Sequence, residues 1–363
     1  MKKYLWIVGV IVLVLIGYFV MSQKVTTPSS VQKQTIKIGL SLPLTGGVAF
    51  LGQPAKKSAE LALKDAGDTK YNYELVIEDD QFDAKKSASA ASKLINIDKV
   101  IGIVSFGSGT GNTINSIAEN GKTAQFALAS DPTVANGQYN YVHWTPAFKE
   151  GEMLAKELIV RGYKKVSIID TNHPGTLAVT SAIKQALIGS DVEIVSYDIT
   201  NVGEKDFKTV ISKIKKANPD IVVLEMFSPE IEIAARQMKE LGLKKPVTSV
   251  ETFEWSSEPS LFEGSWFVSD TVVPNFSSKY KTAYGEDPAS GSSYVYDLVS
   301  LMIAVQEKSD KPISPQDLPQ AISAMGEWNS PVFGKIKIDE NGFFLTEPAV
   351  KIIKEGKAVP EIN

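Results

Sequence analysis

The sequence has no cysteine, and only two histidines, His143 and His173, in 363 residues. The first absence excludes disulfides, thiolate nucleophiles, Cys-bearing zinc sites and the lipidated cysteine of a bacterial lipoprotein. The second leaves little room for His-rich metal sites or for His-based catalysis. Excess positive charge is missing too. Against 42 Asp and Glu stand 38 Lys and Arg, a formal net charge of −4, so no basic face for nucleic acid is expected. What remains is a globular composition, 43% hydrophobic and 22% charged, in a chain long enough for two compact domains.

One long apolar run is present, from Tyr4 to Met21, behind Lys2 and Lys3. The basic flank would stay cytoplasmic and the chain beyond would cross the membrane. The run sits at the lower edge of the roughly 17–25 residues a spanning helix needs, and a secretory signal has an apolar region of about 7–15. Val20-Met21-Ser22 makes a poor cleavage site. We expect an uncleaved anchor over residues 1–22, with a cleaved signal as the alternative; both put the remainder outside the cytoplasm. The segment that follows is rich in Ser, Thr, Gln and Lys with no apolar period, and residues 23–34 read as a flexible tether.

From Ile36 onward β-rich runs alternate with helical stretches. Strands are expected at 35–42 (TIKIGLSL), 73–79, 99–105 and 123–129, then at 165–170, 192–198, 221–226, 246–250 and 266–270. Helices fill the gaps, among them 84–97 capped by Asp83, 110–120, 149–161, 177–188, 205–217 and 230–241. Such alternation means parallel sheets with helices on both faces, so the expected class is α/β with two doubly wound lobes. After 270 the rhythm changes to two helices, 292–307 and 315–324, and a hairpin of 335–339 with 343–353 about Asn341-Gly342. Ligands of doubly wound sheets bind at the carboxyl ends of the strands, and a cleft between the lobes is the default site.

Motifs of chemistry fail in detail. Gly107-Ser108-Gly109-Thr110-Gly111 has Gly at the centre where a nucleophile elbow needs Ser, and Asn112 breaks the dinucleotide pattern. Gly121-Lys122-Thr123 lacks the upstream Gly of a phosphate loop. Asp79, Asp80 and Asp83 lack calcium-loop spacing and read as strand-end and helix-cap residues. His143 reads as a packing residue, and the lysines of 149–165 and 205–216 as a solvated face.

The blocks IKIGLSLPLTGGVAFLGQPAKKSAELAL (36–63), EDDQFDA (78–84), VIGIVSFGSGT (100–110), ALASDPT (127–133), GEKDFKTVISKIKKANPDIVVL (203–224) and YVYDLVSLMIAV (294–305) stand in one order along the chain. From about residue 35 to the end it resembles the type I periplasmic solute-binding proteins of the leucine/isoleucine/valine-binding family, with Pro43, Leu44, Thr45, Gly46 and Gly52 matching the family's opening. The resemblance implies two α/β lobes joined by a three-strand hinge, 35–146 plus 273–326 and 147–272 plus 327–363. It implies a ligand trapped between them and handed to an ABC transporter permease.

An amino-acid ligand must have both charged ends paired when buried. The resemblance places the carboxylate on a Ser of the Gly-rich segment and a Ser or Thr of the next. Ser130 matches the latter, beside Ala129; the former falls on Gly107 or Ser108, with Thr110 the second hydroxyl of that turn. It places the ammonium on Glu251, with Glu225 and Glu254 as alternatives. Leu51, Phe227, Tyr294 and Tyr296 match wall positions. One departure stands out: the loop after 165–170 reads Asn172-His173-Pro174-Gly175, with Pro174 where the family often has Tyr, which leaves ligand identity open between branched-chain and other amino acids, amides and small aromatic acids. The expected function is the extracytoplasmic solute-binding component of an ABC-type importer, without catalysis, cofactor, metal or nucleic acid. A ligand-sensing receptor ectodomain is the first alternative and an extracytoplasmic enzyme the second.

Overall fold

A computed structural model describes residues 33–271 and 273–361. The expected anchor over 1–22, and all of the tether but Lys33 and Gln34, lie outside the described residues. Among the described residues no helix is long and apolar enough to cross a membrane.

The first sheet is built from β1 (Thr35–Leu42), β2 (Asn72–Asp79), β3 (Gly102–Phe106), β4 (Ala124–Leu128) and β5 (Asn140–Val142), all parallel in the order β2-β1-β3-β4-β5. Helices α1 (Ala49–Asp65), α2 (Ala84–Lys93) and α3 (Ser108–Gly121) connect it, and α2 runs on into a π turn, Leu94–Asp98. Flanked by strands and covered on both faces, β1 is buried from Ile38 to Leu42, as its run of apolar residues predicts. Asp83 caps α2 by accepting from the N–H groups of Lys85 and Lys86. Asp79, at the end of β2, accepts from the N–H groups of Leu44 and Thr45 and from the Thr45 hydroxyl, which fixes the turn after β1. Gly52 lets α1 lie on that turn: a Cβ there would stand 2.1 Å from the Pro43 carbonyl oxygen.

The second sheet follows α4 (Ala147–Val160). It contains β6 (Lys165–Thr171), β7 (Glu193–Thr200), β8 (Ile221–Glu225) and β9 (Val247–Thr248), parallel in the order β7-β6-β8-β9. Its helices are α5 (Pro174–Ala186), α6 (Lys208–Ala217) and α7 (Glu230–Glu240). Next come β10 (Trp266–Asp270), α8 (Pro274–Tyr284), α9 (Ser292–Lys308), α10 (Leu318–Ser323), β11 (Glu327–Ser330), β12 (Gly334–Lys337), β13 (Pro348–Lys354) and β14 (Lys357–Pro360). Helix α8 was not foreseen: only Phe276 and Tyr280 of its face are buried, too few to show a period.

Apolar side chains gather in four clusters, two about each sheet, and the sheets define two lobes; a small cluster of Leu94, Ile103 and Ile114 backs the first sheet. The first core joins Ile38, Leu40, Val104 and Phe126 of the first sheet to Tyr294, Leu298 and Met302 of α9. The second is made of Leu154, Ile168, Ile183, Val223 and Val268 on one face of the second sheet and Phe207, Ile211, Leu224, Phe253 and Phe267 on the other. The sequence reading gave 327–363 to the second lobe, yet Trp328, Ile336 and Phe344 sit in the first core. The expected hairpin parts for the same reason. The turn at Asn341-Gly342 forms, with Asp339 accepting from the N–H groups of Asn341 and Phe343. Its arms share one bridge, Ile338 with Phe344, because β12 pairs with β11 and β13 pairs with β10. His143, where the chain leaves β5, is buried with Nε2 at 2.7 Å from Asp297 of α9, whose carboxylate also accepts from Trp328 and Ser330. One carboxylate thereby ties together three segments near the passage between lobes.

Candidate functional site

The loops at the carboxyl ends of β1, β3, β4, β6, β8 and the segment after β9 border one cavity of about 50 Å³ between the lobes. Both sheets thus present the ends where doubly wound folds bind ligands.

On the first-lobe wall the chain turns sharply after β3. Gly107 has φ 100°, and a Cβ on it would come 2.3 Å from the Phe82 ring, so only glycine fits. Helix α3 starts at once, with no side-chain cap, which leaves first-turn N–H groups for an outside acceptor. The Ser108 hydroxyl oxygen accepts from the backbone N–H groups of Ser130 and Asp131 at 3.2 and 3.1 Å. It pins the turn after β4 to the helix start and keeps its own proton to donate. Leu51, Ala129 and Ser130 complete this wall.

Aromatic rings join the walls. Phe82 of the first lobe stacks on His173 of the second with centroids 5.9 Å apart, His173 meets Phe227 edge-on at 5.0 Å, and Phe227 stacks on Trp255 at 5.9 Å. Trp255 meets Trp144 at 6.4 Å, and Trp144 meets Phe106 at 6.4 Å. His173 caps α5, its Nδ1 accepting from the Gly175 N–H at 3.2 Å, which places its ring proton on Nε2. Burial holds the imidazole neutral, with its pKa lowered to about 4 against the pull of Asp131.

The second-lobe wall is acidic. Glu225 ends β8 and Glu251 follows β9; both are buried and both border the cavity. Glu225 accepts from the Val250 N–H. Glu251 sits in a left-handed conformation, φ 61°, held by its N–H donating to the Val268 carbonyl at 2.7 Å. Among the described residues its Oε1 has no hydrogen-bond donor, and the indole nitrogen of Trp255 has no acceptor. Burial pushes both carboxyls well above the ordinary range; Glu150 adds to this at Glu251, and Asp170 and Glu251 add to it at Glu225. Among the described residues no Lys or Arg borders the cavity.

Of the expected site residues, Leu51, Gly107, Ser108, Ala129, Ser130, Phe227 and Glu251 come together here, with Glu225 from the alternatives. Three do not. The Thr110 hydroxyl turns back to the carbonyls of Phe106 and Gly107. Tyr294 lies behind Trp144, centroids 4.7 Å apart, with its hydroxyl on Thr145. Tyr296, two residues along α9, points about 200° away from it and donates to Asp65 at 2.7 Å. Glu254 is held by Lys351 and Ser269.

Sequence reading missed His173, Trp144, Trp255, Phe82 and Phe106, which reach the cavity from loops and strand ends without a shared motif. It also missed Glu150, for which there was a signal. On α4, Ala147, Gly151, Leu154, Ala155 and Leu158 form the buried stripe, and Glu150 stands on it. An acid in an apolar stripe is rarely placed without a partner.

A family model described as periplasmic binding protein matches residues 35–350. Leu/Ile/Val-binding protein homolog 1 of Brucella suis biovar 1 is 27% identical over 333 residues, which cover 85% of this chain and 87% of that one. The fold is similar to that of a leucine binding protein from Thermotoga maritima MSB8, with TM-score 0.79 and 22% identity across 90% of this chain and 98% of the other. It is equally similar, at TM-score 0.79 and 19% identity, to a branched-chain amino acid transporter substrate binding protein of Streptococcus pneumoniae in complex with isoleucine, across 90% and 100% of the two chains.

Proposed function

The chain belongs to the periplasmic binding protein family, and from that premise we propose that it is the extracytoplasmic solute-binding component of an ABC-type importer, trapping a small apolar amino acid between its lobes. The observation that carries this reading is the polarity of the cleft. One wall offers donors, the Ser108 hydroxyl and the uncapped start of α3, and the facing wall offers the Glu251 carboxyl, whose Oε1 has no donor among the described residues. A zwitterion spans such a gap with each end paired, while a lone anion or an uncharged sugar would leave one wall unsatisfied. The rings between the walls suit an apolar side chain, and the small cavity favours a single amino acid over a peptide. The names of the relatives point to leucine, isoleucine and valine.

In this reading Ser108 and Ser130 receive the carboxylate, Glu251 the ammonium, and Leu51 and Phe227 the side chain. The lobes are 35–146 with 273–347, and 147–271 with 348–361; the third passage is moved to about residue 347 by the packing of Phe344 and the pairing of β13. The apolar run at 4–21 serves as membrane anchor, and a permease receives the solute. Thermal-shift titration with L-amino acids tests the reading. At 100 times its Kd a ligand stabilises by about 2.7 kcal/mol, so L-leucine, L-isoleucine or L-valine should raise Tm and the matching 2-hydroxy acids should not. A shift with the hydroxy acids and none with the amino acids would overturn it.

A further inference from the structure

One of the rings that line the cleft also carries a donor. His173 caps α5 on the second lobe, and its Nδ1 is committed to the Gly175 N–H at 3.2 Å. The proton of the neutral ring is therefore on Nε2, and among the described residues nothing accepts it. The ring has little freedom to turn, stacked on Phe82 and set edge-on to Phe227 at the border of the cavity. Its Nε2 reaches the first lobe: a Cβ on Gly109, in the first turn of α3, would lie 3.4 Å from it. The start of α5 comes as close, since a Cβ on Gly175 would lie 3.0 Å from the Ser108 hydroxyl oxygen. A second-lobe N–H thus stands beside Ser108 and the uncapped start of α3, the donors of the opposite wall. We propose that His173 is a specificity-determining residue that donates its Nε2–H to the ligand's carboxylate at the start of α3, so that the anionic end of the ligand is gripped from both lobes at once.

The chemistry of the spot selects that end of the ligand. An N–H must be met by an acceptor, and an ammonium, which has only donors, cannot serve. The acidic wall makes the opposite demand: Glu251 is 4% exposed, and its Oε1 has no donor among the described residues. Asp131, the acid whose charge reaches the ring, accepts from Asn112 and Thr133 instead. Because α3 and α5 belong to different lobes, a carboxylate held between them ties the lobes together, and the contact is lost when they part.

The ligand-binding part of this proposal rests on the amino-acid reading of the cleft; the placement of the ring proton does not. Two variants separate a donor from a cap. His173→Asn keeps an oxygen for the Gly175 N–H but is too short to reach α3, whereas His173→Gln carries its amide N–H groups out toward the place of Nε2 and is the poorer cap. Both lose the ring. Titration calorimetry with L-leucine at pH 7 should find His173→Gln about tenfold tighter than His173→Asn, while the urea midpoint should be higher in His173→Asn. Affinities that are equal, or that follow the order of stability, would make His173 a cap alone and overturn the proposal. In ligand-free wild type, long-range proton–nitrogen correlations should show the ring neutral and protonated on Nε2, the signal being identified by its loss in His173→Asn. A ring protonated on Nδ1 would overturn the proposal as well. Should wild type itself not bind L-leucine, the function reading fails, and the tautomer still decides whether His173 offers a donor to the cleft.

Discussion

The two walls of the cleft are made by different means. The first-lobe wall is backbone: a glycine turn, a helix start and one serine that holds a neighbouring loop in place. It carries no ionised group of its own. The second-lobe wall is side chain: Glu251 and Glu225 at strand ends, with Glu150 behind them, all buried and all competing for a limited share of charge. Backbone donors are permanent and need no titration, so a wall suited to an anion can be built from local sequence. An acceptor for a cation must be an ionised acid. Each buried acid costs desolvation, and two of them at hydrogen-bond distance, roughly 3 Å, would repel by about 5 kcal/mol at an effective dielectric of about 20. The acidic wall therefore depends on protons as well as on geometry.

Four changes would break or sharpen this contrast. The largest effect is expected from Glu251→Ala, which should weaken L-leucine by about a hundredfold or more while leaving the urea midpoint unchanged or higher, since a buried acid is removed; unchanged affinity would detach Glu251 from the ammonium. Gly107→Ala strikes the backbone wall. Its Cβ meets Phe82 at a positive φ, and it should cost about 2–4 kcal/mol of folding stability by denaturant titration. Ser108→Ala orphans the N–H groups of Ser130 and Asp131 and should cost about 1–3 kcal/mol in ligand binding; a leucine amide should lose less than leucine does. Smallest is Tyr296→Phe, which removes a hydroxyl on Asp65 outside the cavity and should leave affinity within about twofold by calorimetry.

The walls also differ in pH response. Glu150, raised from 4.5 to about 8, favours the folded state most below pH 4.5, and that contribution fades as pH rises through 8. His173, lowered from 6.5 to about 4, contributes above pH 6.5 and loses that contribution as pH falls through 4. Tm should therefore decline on both sides of a broad plateau, and Glu150→Gln should flatten only its alkaline side. A flat alkaline limb in wild type would show that Glu150 is not neutral when folded.

The legible parts of the molecule were those whose cause is local. Alternating apolar runs gave both parallel sheets, Asp83 was recognisable as a cap, and the Gly-rich turn ahead of α3 marked the donor wall. Parts decided by distant contacts were hidden. Asn341-Gly342 announces a turn, but Phe344 is drawn into the first core and β13 onto β10, so the arms separate. Tyr294 and Tyr296 stand in one motif, yet the helical turn sends them to opposite sides. His173 and Trp255 lie in loops of ordinary composition, and only the apposition of two lobes sets them against Phe82 and Trp144. Glu150 stands as an acid on an apolar stripe, but the acids that crowd it, Glu225 and Asp270, come from distant segments.

The row of rings that runs from Phe82 through His173 and Phe227 to the two tryptophans has a mechanical side. Phe82 and His173 belong to different halves of the molecule, so widening the gap peels one aromatic face from another and wets both. That stacked contact draws the two halves together. Admission of a solute waits on that peeling, and bulkier or smaller residues at position 82, which borders the cavity, would change how fast the mouth opens as well as what it holds.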